Sequence, residues 1–220
     1  MQKLFIDFEP NGQITLNEEQ SRHIAKALRM KKGDMLTLTN GDGNDYGCQI
    51  NGVSGGLVTL SVCYKQANNS EPSVKVTLYQ GVPKASKLED VIQKCTELGI
   101  AAICPTLTHR SVSRPDEKQA KKKGERYKKI ALEAAQQSGR GIVPEIMDMT
   151  ELKKAVENDE SELKILFYEG GGESLKSIIP QDIKSVSVYI GPEGGFEESE
   201  VELIKSAGGK IASLGPRILR

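Results

Sequence analysis

Three glycine-rich stretches are the best candidates for chemistry in this chain: Glu169-Gly170-Gly171-Gly172, Gly191-Pro192-Glu193-Gly194-Gly195 and Gly215-Pro216-Arg217-Ile218-Leu219-Arg220. Glycine lets a backbone turn through positive φ and approach a flat ligand closely, so such loops bind through peptide groups more than through side-chain charge. A nucleotide phosphate calls for a Walker lysine or a GxGxxG fingerprint opening the first helix of a domain. Neither is present: QGVPKASK, residues 80–87, stands where the fingerprint belongs. Loops with few cations suit a ligand built of adenine and ribose without phosphate. Each stretch alone is more often a tight turn. Two Gly-Pro loops after consecutive strands are harder to dismiss.

The elements that must position these loops are readable from periodicity. From Val74 onward, strands alternate with helices, the texture of an α/β domain with a mostly parallel sheet. Strands are predicted at Val74–Tyr79, Ala101–Cys104, Leu163–Tyr168, Ser185–Ile190 and Lys210–Leu214. Leu88, Val91, Ile92, Cys95 and Leu98 line one face of a helix that Gly99 closes. Pro115 and Asp116 open a long helix with Tyr127, Ile130, Ala131, Ala134 and Ala135 on its apolar face and Gly139 at its end. Further helices are predicted over Thr150–Asn158 and Glu197–Ala207. In an open α/β sheet, ligands bind outside the carboxyl ends of the strands, where the three glycine loops fall.

Ahead of this domain lies a β-rich unit with strands at Leu4–Phe8, Met35–Thr39, Tyr46–Ile50 and Leu57–Tyr64. One helix interrupts it, capped by Asn17, carrying Ile24, Ala27 and Leu28 inward and ended by Gly33. The polar stretch QANNSEPS, residues 66–73, is the best boundary, giving domains over 1–70 and 74–220.

With 220 residues, either domain can bury its own core. No run approaches the ~20 apolar residues of a membrane span, so no membrane association is expected. Asp7 and Glu9 interrupt the N-terminus where a signal peptide needs an apolar run, so a cytoplasmic protein is expected. Cys48, Cys63, Cys95 and Cys104 form no CxxC pair and have no histidine at ligand spacing. Buried, reduced thiols are expected, and no metal. Net charge is zero, but Arg110 to Arg140 holds ten basic against four acidic residues. A local patch of this kind can bind phosphate backbone. A solvated lysine-rich helix face explains it equally well.

The segments KLEDVIQKCTELGI (87–100), EAAQQSGR (133–140), YIGPEGGFEESEVE (189–202) and SLGPRILR (213–220), in this order, resemble the ribosomal RNA small subunit methyltransferase E family of the SPOUT superfamily. SRHIAKALRMKKGDMLTLTNGDG (21–43) is similar to that family's PUA-like RNA-binding domain. The resemblance implies a small PUA-like β-barrel followed by a trefoil-knotted α/β methyltransferase domain, an exception to unknotted topology. It implies S-adenosylmethionine as cofactor, N3 of a uridine in 16S ribosomal RNA of the small subunit as methyl acceptor, and a homodimer, for which the Glu197–Ala207 helix, with Val201, Ile204 and Ala207 on one face, is a candidate contributor. By position, Glu169, Gly191, Gly195, Leu214, Gly215 and Leu219 would line the cofactor. Arg220 would stabilise the developing uridine anion, with Arg217 in a structural role, paired with Glu193 or at a strand end. Arg22, His23 and Arg29 of the first helix, with Lys84, Lys87 and Arg140, would meet RNA. The family continues past LGPRILR, so an incomplete knot and a weakened cofactor site are expected of a chain ending at Arg220. Two alternatives stay open: another SPOUT enzyme, acting on a ribose hydroxyl or on transfer RNA, and a non-catalytic RNA-binding assembly factor.

Overall fold

The computed structural model describes residues 2–215, and the chain separates into two compact units. The first runs to Glu71 and takes in Ala135–Val143; the second comprises Pro72–Ala134 and the chain from Pro144 onward.

The first unit contains β1 (Lys3–Phe5), β2 (Gln13–Thr15), α1 (Glu18–Arg22), β3 (Met35–Thr39), β4 (Asn44–Ser54) and β5 (Leu57–Ala67). They form one five-stranded sheet in the order β1-β3-β4-β5-β2. Only the β1–β3 pairing is parallel; the other three are antiparallel. Its core collects Leu4, Ile14, Leu16, Ile24, Leu36, Leu38, Ile50, Val58 and Leu60. Asn17 caps α1 as predicted, its side-chain oxygen accepting from the Gln20 N–H at 2.9 Å. The helical path then widens into a π-helical turn over His23–Ala27 and stops at Leu28. That corrects the expected stop at Gly33: Arg29 already adopts a left-handed φ of 54°. The first strand is likewise shorter than predicted, ending at Phe5.

Arg140, on the turn that leaves the long helix, belongs to this unit. Its guanidinium is 4% exposed and lies 2.6 Å from Glu71. Glu71 also accepts the N–H groups of Gly141 and Ile142 at 2.9 and 3.2 Å. Burial raises the Glu71 carboxyl's pKa, but the hydrogen bond and charge of Arg140 and the two N–H groups outweigh it and hold it below its usual value. The expectation that Arg140 meets RNA is corrected on this geometry, because the side chain is turned inward and occupied.

The second unit contains β6 (Lys75–Gly81), α2 (Lys87–Glu97), β7 (Ala102–Leu107), α3 (Glu117–Ser138), β8 (Glu145–Ile146), β9 (Thr150–Glu151), α4 (Leu152–Glu157), β10 (Leu163–Phe167), β11 (Glu173–Ser174), α5 (Leu175–Ile178), β12 (Ser185–Ile190), α6 (Glu198–Ser206) and β13 (Lys210–Ser213). The last turn of α3, from Ala135, groups with the first unit. The sheet runs β11-β13-β10-β12-β6-β7-β8, with β9 extending β7, and every pairing is parallel. Parallel strands must be covered on both faces, and the alternation along β10 shows it. Leu166 faces a cluster with Tyr189, Val201 and Ile204, whereas Leu163 and Ile165 face Ile178 and Val186.

Val201 and Ile204 are 5% and 0% exposed within their own unit's core, so the α6 face expected to meet a partner subunit is already covered. Cys48 and Cys104 are buried free thiols as expected, but Cys63 is exposed. Because the sheet is parallel throughout, β6, β7, β10, β12 and β13 all end on the same edge.

Candidate active site

The connection from β6 leads through α2 to β7, toward one edge of the sheet, and that from β12 leads through α6 to β13, toward the other edge. β6 and β12 are neighbours in register, Tyr79 opposite Tyr189 and Gln80 opposite Ile190. Their carboxyl ends therefore flank a topological switch point, the place where an open α/β sheet leaves a crevice.

Close approach of the two chains there depends on Gly81. A Cβ at that position would sit 2.6 Å from both the nitrogen and Cδ of Pro192, a clash with backbone. Just before the ends of these two strands, the buried rings of Tyr79 and Tyr189 stack at 4.7 Å with 8° between planes. Beneath them, the buried Asp159 carboxylate accepts from the Tyr189 hydroxyl at 2.7 Å and from Ser187. Burial first, and then this hydrogen bond to Asp159, push the Tyr189 phenol well above its usual range, so it stays a neutral donor.

The loop after β12 is held from several sides. Glu193 accepts from the Lys84 N–H at 3.2 Å and from the Lys87 ammonium at 2.8 Å. These bonds, the Lys87 one largest, bring its pKa to about 2. They also stabilise the β6–α2 turn, where Ala85 adopts a left-handed φ of 55°. Gly195 has φ +69°, and a Cβ on it would be 3.2 Å from Glu169 Oε1, so the loops after β10 and β12 meet here. At the end of β13, Leu214 is 52% exposed, and the Gly215 N–H donates to Ser213 Oγ at 3.1 Å.

The structure thus gathers the candidates Glu169, Gly191 and Gly195, beside the Lys84–Lys87 turn, and places Leu214 and Gly215 at the neighbouring end of β13. Lys84 is exposed, and Lys87 shares its charge with Glu193. Arg217, Leu219 and Arg220 lie outside the described residues, as does part of the segment through which a trefoil knot would close. In the first unit, Arg22, His23 and Arg29 are all exposed.

Sequence reasoning missed the turn after β7, where the backbone N–H of His109 donates to Glu200 and the Arg110 guanidinium to the Gly194 carbonyl. The predicted strand stopped at Cys104, three residues short. Extending the carboxyl-edge rule to the true end of β7 would have found both residues. Among the described residues no helix is long and apolar enough to cross a membrane. Among them, too, no group of three or more His, Cys, Asp or Glu residues is placed to hold a metal ion.

Comparison with known proteins agrees with this architecture. Residues 69–220 match the RNA methyltransferase domain family, and residues 16–63 the RNA methyltransferase PUA domain. The chain is 36% identical to the ribosomal RNA small subunit methyltransferase E of Bacillus subtilis (strain 168), over 100% of this chain and 91% of the relative. It is 31% identical to the protein of that name from Synechocystis sp., over 94% of this chain and 68% of the relative. A solved ribosomal RNA small subunit methyltransferase E from Neisseria gonorrhoeae, bound to S-adenosyl methionine, superposes with a TM-score of 0.92 at 25% identity. That match covers 100% of this chain and 91% of the other.

Proposed function

The chain belongs to the ribosomal RNA small subunit methyltransferase E family, a PUA-like domain joined to a SPOUT-type α/β methyltransferase domain, and from that premise we propose that it methylates N3 of a uridine in 16S ribosomal RNA, using S-adenosylmethionine. The observation that carries the reading is the meeting of the Glu169 and Gly191–Gly195 loops at the switch point between β6 and β12, beside the end of β13.

The residues present suit this cofactor. Backbone-lined loops accept a flat adenine without a phosphate-binding cation, and the exposed Glu169 carboxylate can accept from ribose hydroxyls or a cationic ammonium. When bound, the cofactor supplies a sulfonium methyl group. Residues Gly191, Gly195, Leu214 and Gly215 would hold it, with Leu219 completing the lining. Uridine N3 carries a proton and is a weak nucleophile until that proton leaves, so a positioned base and a cation near O2 or O4 are needed. Arg220 is the proposed cation. Arg22, His23 and Arg29, with Lys84 and Lys87, would bind RNA phosphates, and the target base must be exposed or flipped to reach the crevice.

Isothermal titration with S-adenosylmethionine, followed by transfer of labelled methyl to small-subunit particles and to bare RNA, tests the proposal. Saturable cofactor binding with label in 16S RNA supports it. Label in transfer RNA favours the other SPOUT reading, and RNA binding without cofactor binding favours an assembly factor.

A further inference from the structure

The turn after β7 grips the β12 loop and the start of α6 through contacts separate from those of Glu193. Arg110 Nη1 donates to the Gly194 carbonyl at 2.7 Å. Its stem lies along the same residue: a Cβ on Gly194 would be 3.2 Å from Arg110 Cβ and 3.4 Å from Cδ. Next to it, the His109 N–H donates to Glu200 Oε1 at 2.8 Å, and His109 Nδ1 is 2.8 Å from Glu197 Oε1. The turn that presents these two residues is itself braced. The Thr108 N–H donates to the buried Ser111 hydroxyl at 3.0 Å, and Arg114 Nη2 donates to the Thr108 carbonyl at 2.7 Å.

The consequence lies in one peptide plane. The Gly194 carbonyl and the Gly195 N–H belong to the same rigid amide. Arg110 holds its oxygen, and the Pro192 carbonyl accepts its N–H at 2.9 Å. An amide pinned at both ends cannot flip, so Gly195 keeps the φ of +69° that brings it against Glu169. We propose that Arg110 is a positioning residue for methyl transfer: by pinning the Gly194–Gly195 amide it holds the glycine loop in the shape that receives the cofactor. This rests on the function proposed above. Arg110 acts through the loop and needs no contact with RNA.

The test compares wild type with Arg110→Ala, Arg110→Lys, Gly194→Ala and the Arg110→Ala/Gly194→Ala double variant. Each is measured by S-adenosylmethionine titration, by steady-state transfer to small-subunit particles and by thermal melting. Arg110→Ala is expected to weaken cofactor binding by about tenfold, the scale of one charge-assisted hydrogen bond at a partly exposed site. KM for the cofactor should rise equally, while kcat and KM for RNA stay within about twofold. Arg110→Lys, still able to donate to the carbonyl, should recover part of the affinity. Gly194→Ala should weaken binding alone but add less than that to Arg110→Ala, because its methyl would meet the Arg110 Cδ that alanine removes as well as the Cβ that alanine keeps.

A rise in KM for RNA with unchanged cofactor affinity would overturn the proposal in favour of a direct RNA contact. Additive effects in the double variant, or losses that track melting temperature in every variant, would overturn it as well. Wild-type protein that binds no S-adenosylmethionine would instead overturn the cofactor reading itself; wild type that binds while Arg110→Ala binds equally well sinks only the Arg110 role.

Discussion

Glu193 stands at the hinge of the candidate site without being buried, and its chemistry is that of a local clamp. Its pKa falls from 4.5 to about 2 because the Lys87 ammonium and two backbone N–H groups, its own and that of Lys84, favour the charged form. A depressed carboxyl pKa contributes stability above its unfolded value, and that contribution is lost as pH drops through the folded one. Glu193→Gln is therefore expected to lower the melting temperature at neutral pH, and the gap to wild type should close between about pH 4.5 and about pH 2. A gap that stays constant with pH would show that the carboxylate's charge does not hold the turn. This residue was visible in the sequence as part of Gly-Pro-Glu-Gly-Gly. Its partners were not, since Lys84 and Lys87 lie 109 and 106 positions away.

At the scale of elements, what the sequence revealed depended on length and pattern. Met35–Thr39 and Ser185–Ile190 are seen at the predicted bounds, because a β-prone run between turn residues leaves no other reading. β2, β8, β9 and β11 were missed: each has two or three residues and exists through pairing with a neighbour rather than through its own periodicity. α6 was found as a helix, but its apolar face was assigned to a partner subunit when it lines its own core, since periodicity reports that a face is buried and not by what. The segment after α3 shows the same limit, because only tertiary contact sends Arg140 to Glu71. Removing one member of such an inward-facing pair costs about 3–5 kcal/mol when burial is complete, and Glu71 is 22% exposed, so the lower end applies. Arg140→Ala is expected to lower unfolding free energy by about 3 kcal/mol in urea melts, with cofactor affinity retained. A loss of RNA affinity without a loss of stability would restore Arg140 to the RNA-binding set.

For the whole molecule, zero net charge means that RNA binding must come from local cations. Charge reversal at Arg22 and Arg29 should weaken RNA binding and flatten its salt dependence, with cofactor affinity nearly unchanged, as measured by filter binding across salt concentrations. If changing Lys121, Lys122 and Lys123 to glutamate leaves RNA binding intact, the basic run on α3 is a solvated face. We propose a two-fold homodimer, built on a surface other than the covered Val201 and Ile204 face of α6. Light scattering at micromolar concentration should give twice the mass of 24.0 kDa; a stable monomer would remove the dimer. The position of the transferred methyl can be measured directly. Small-subunit RNA from cells lacking this protein, methylated in vitro by the purified chain and S-adenosylmethionine, can be digested to nucleosides and resolved by mass spectrometry. The expected product is a single N3-methyluridine in 16S RNA, and a methyl on a ribose oxygen or on cytidine would contradict the account.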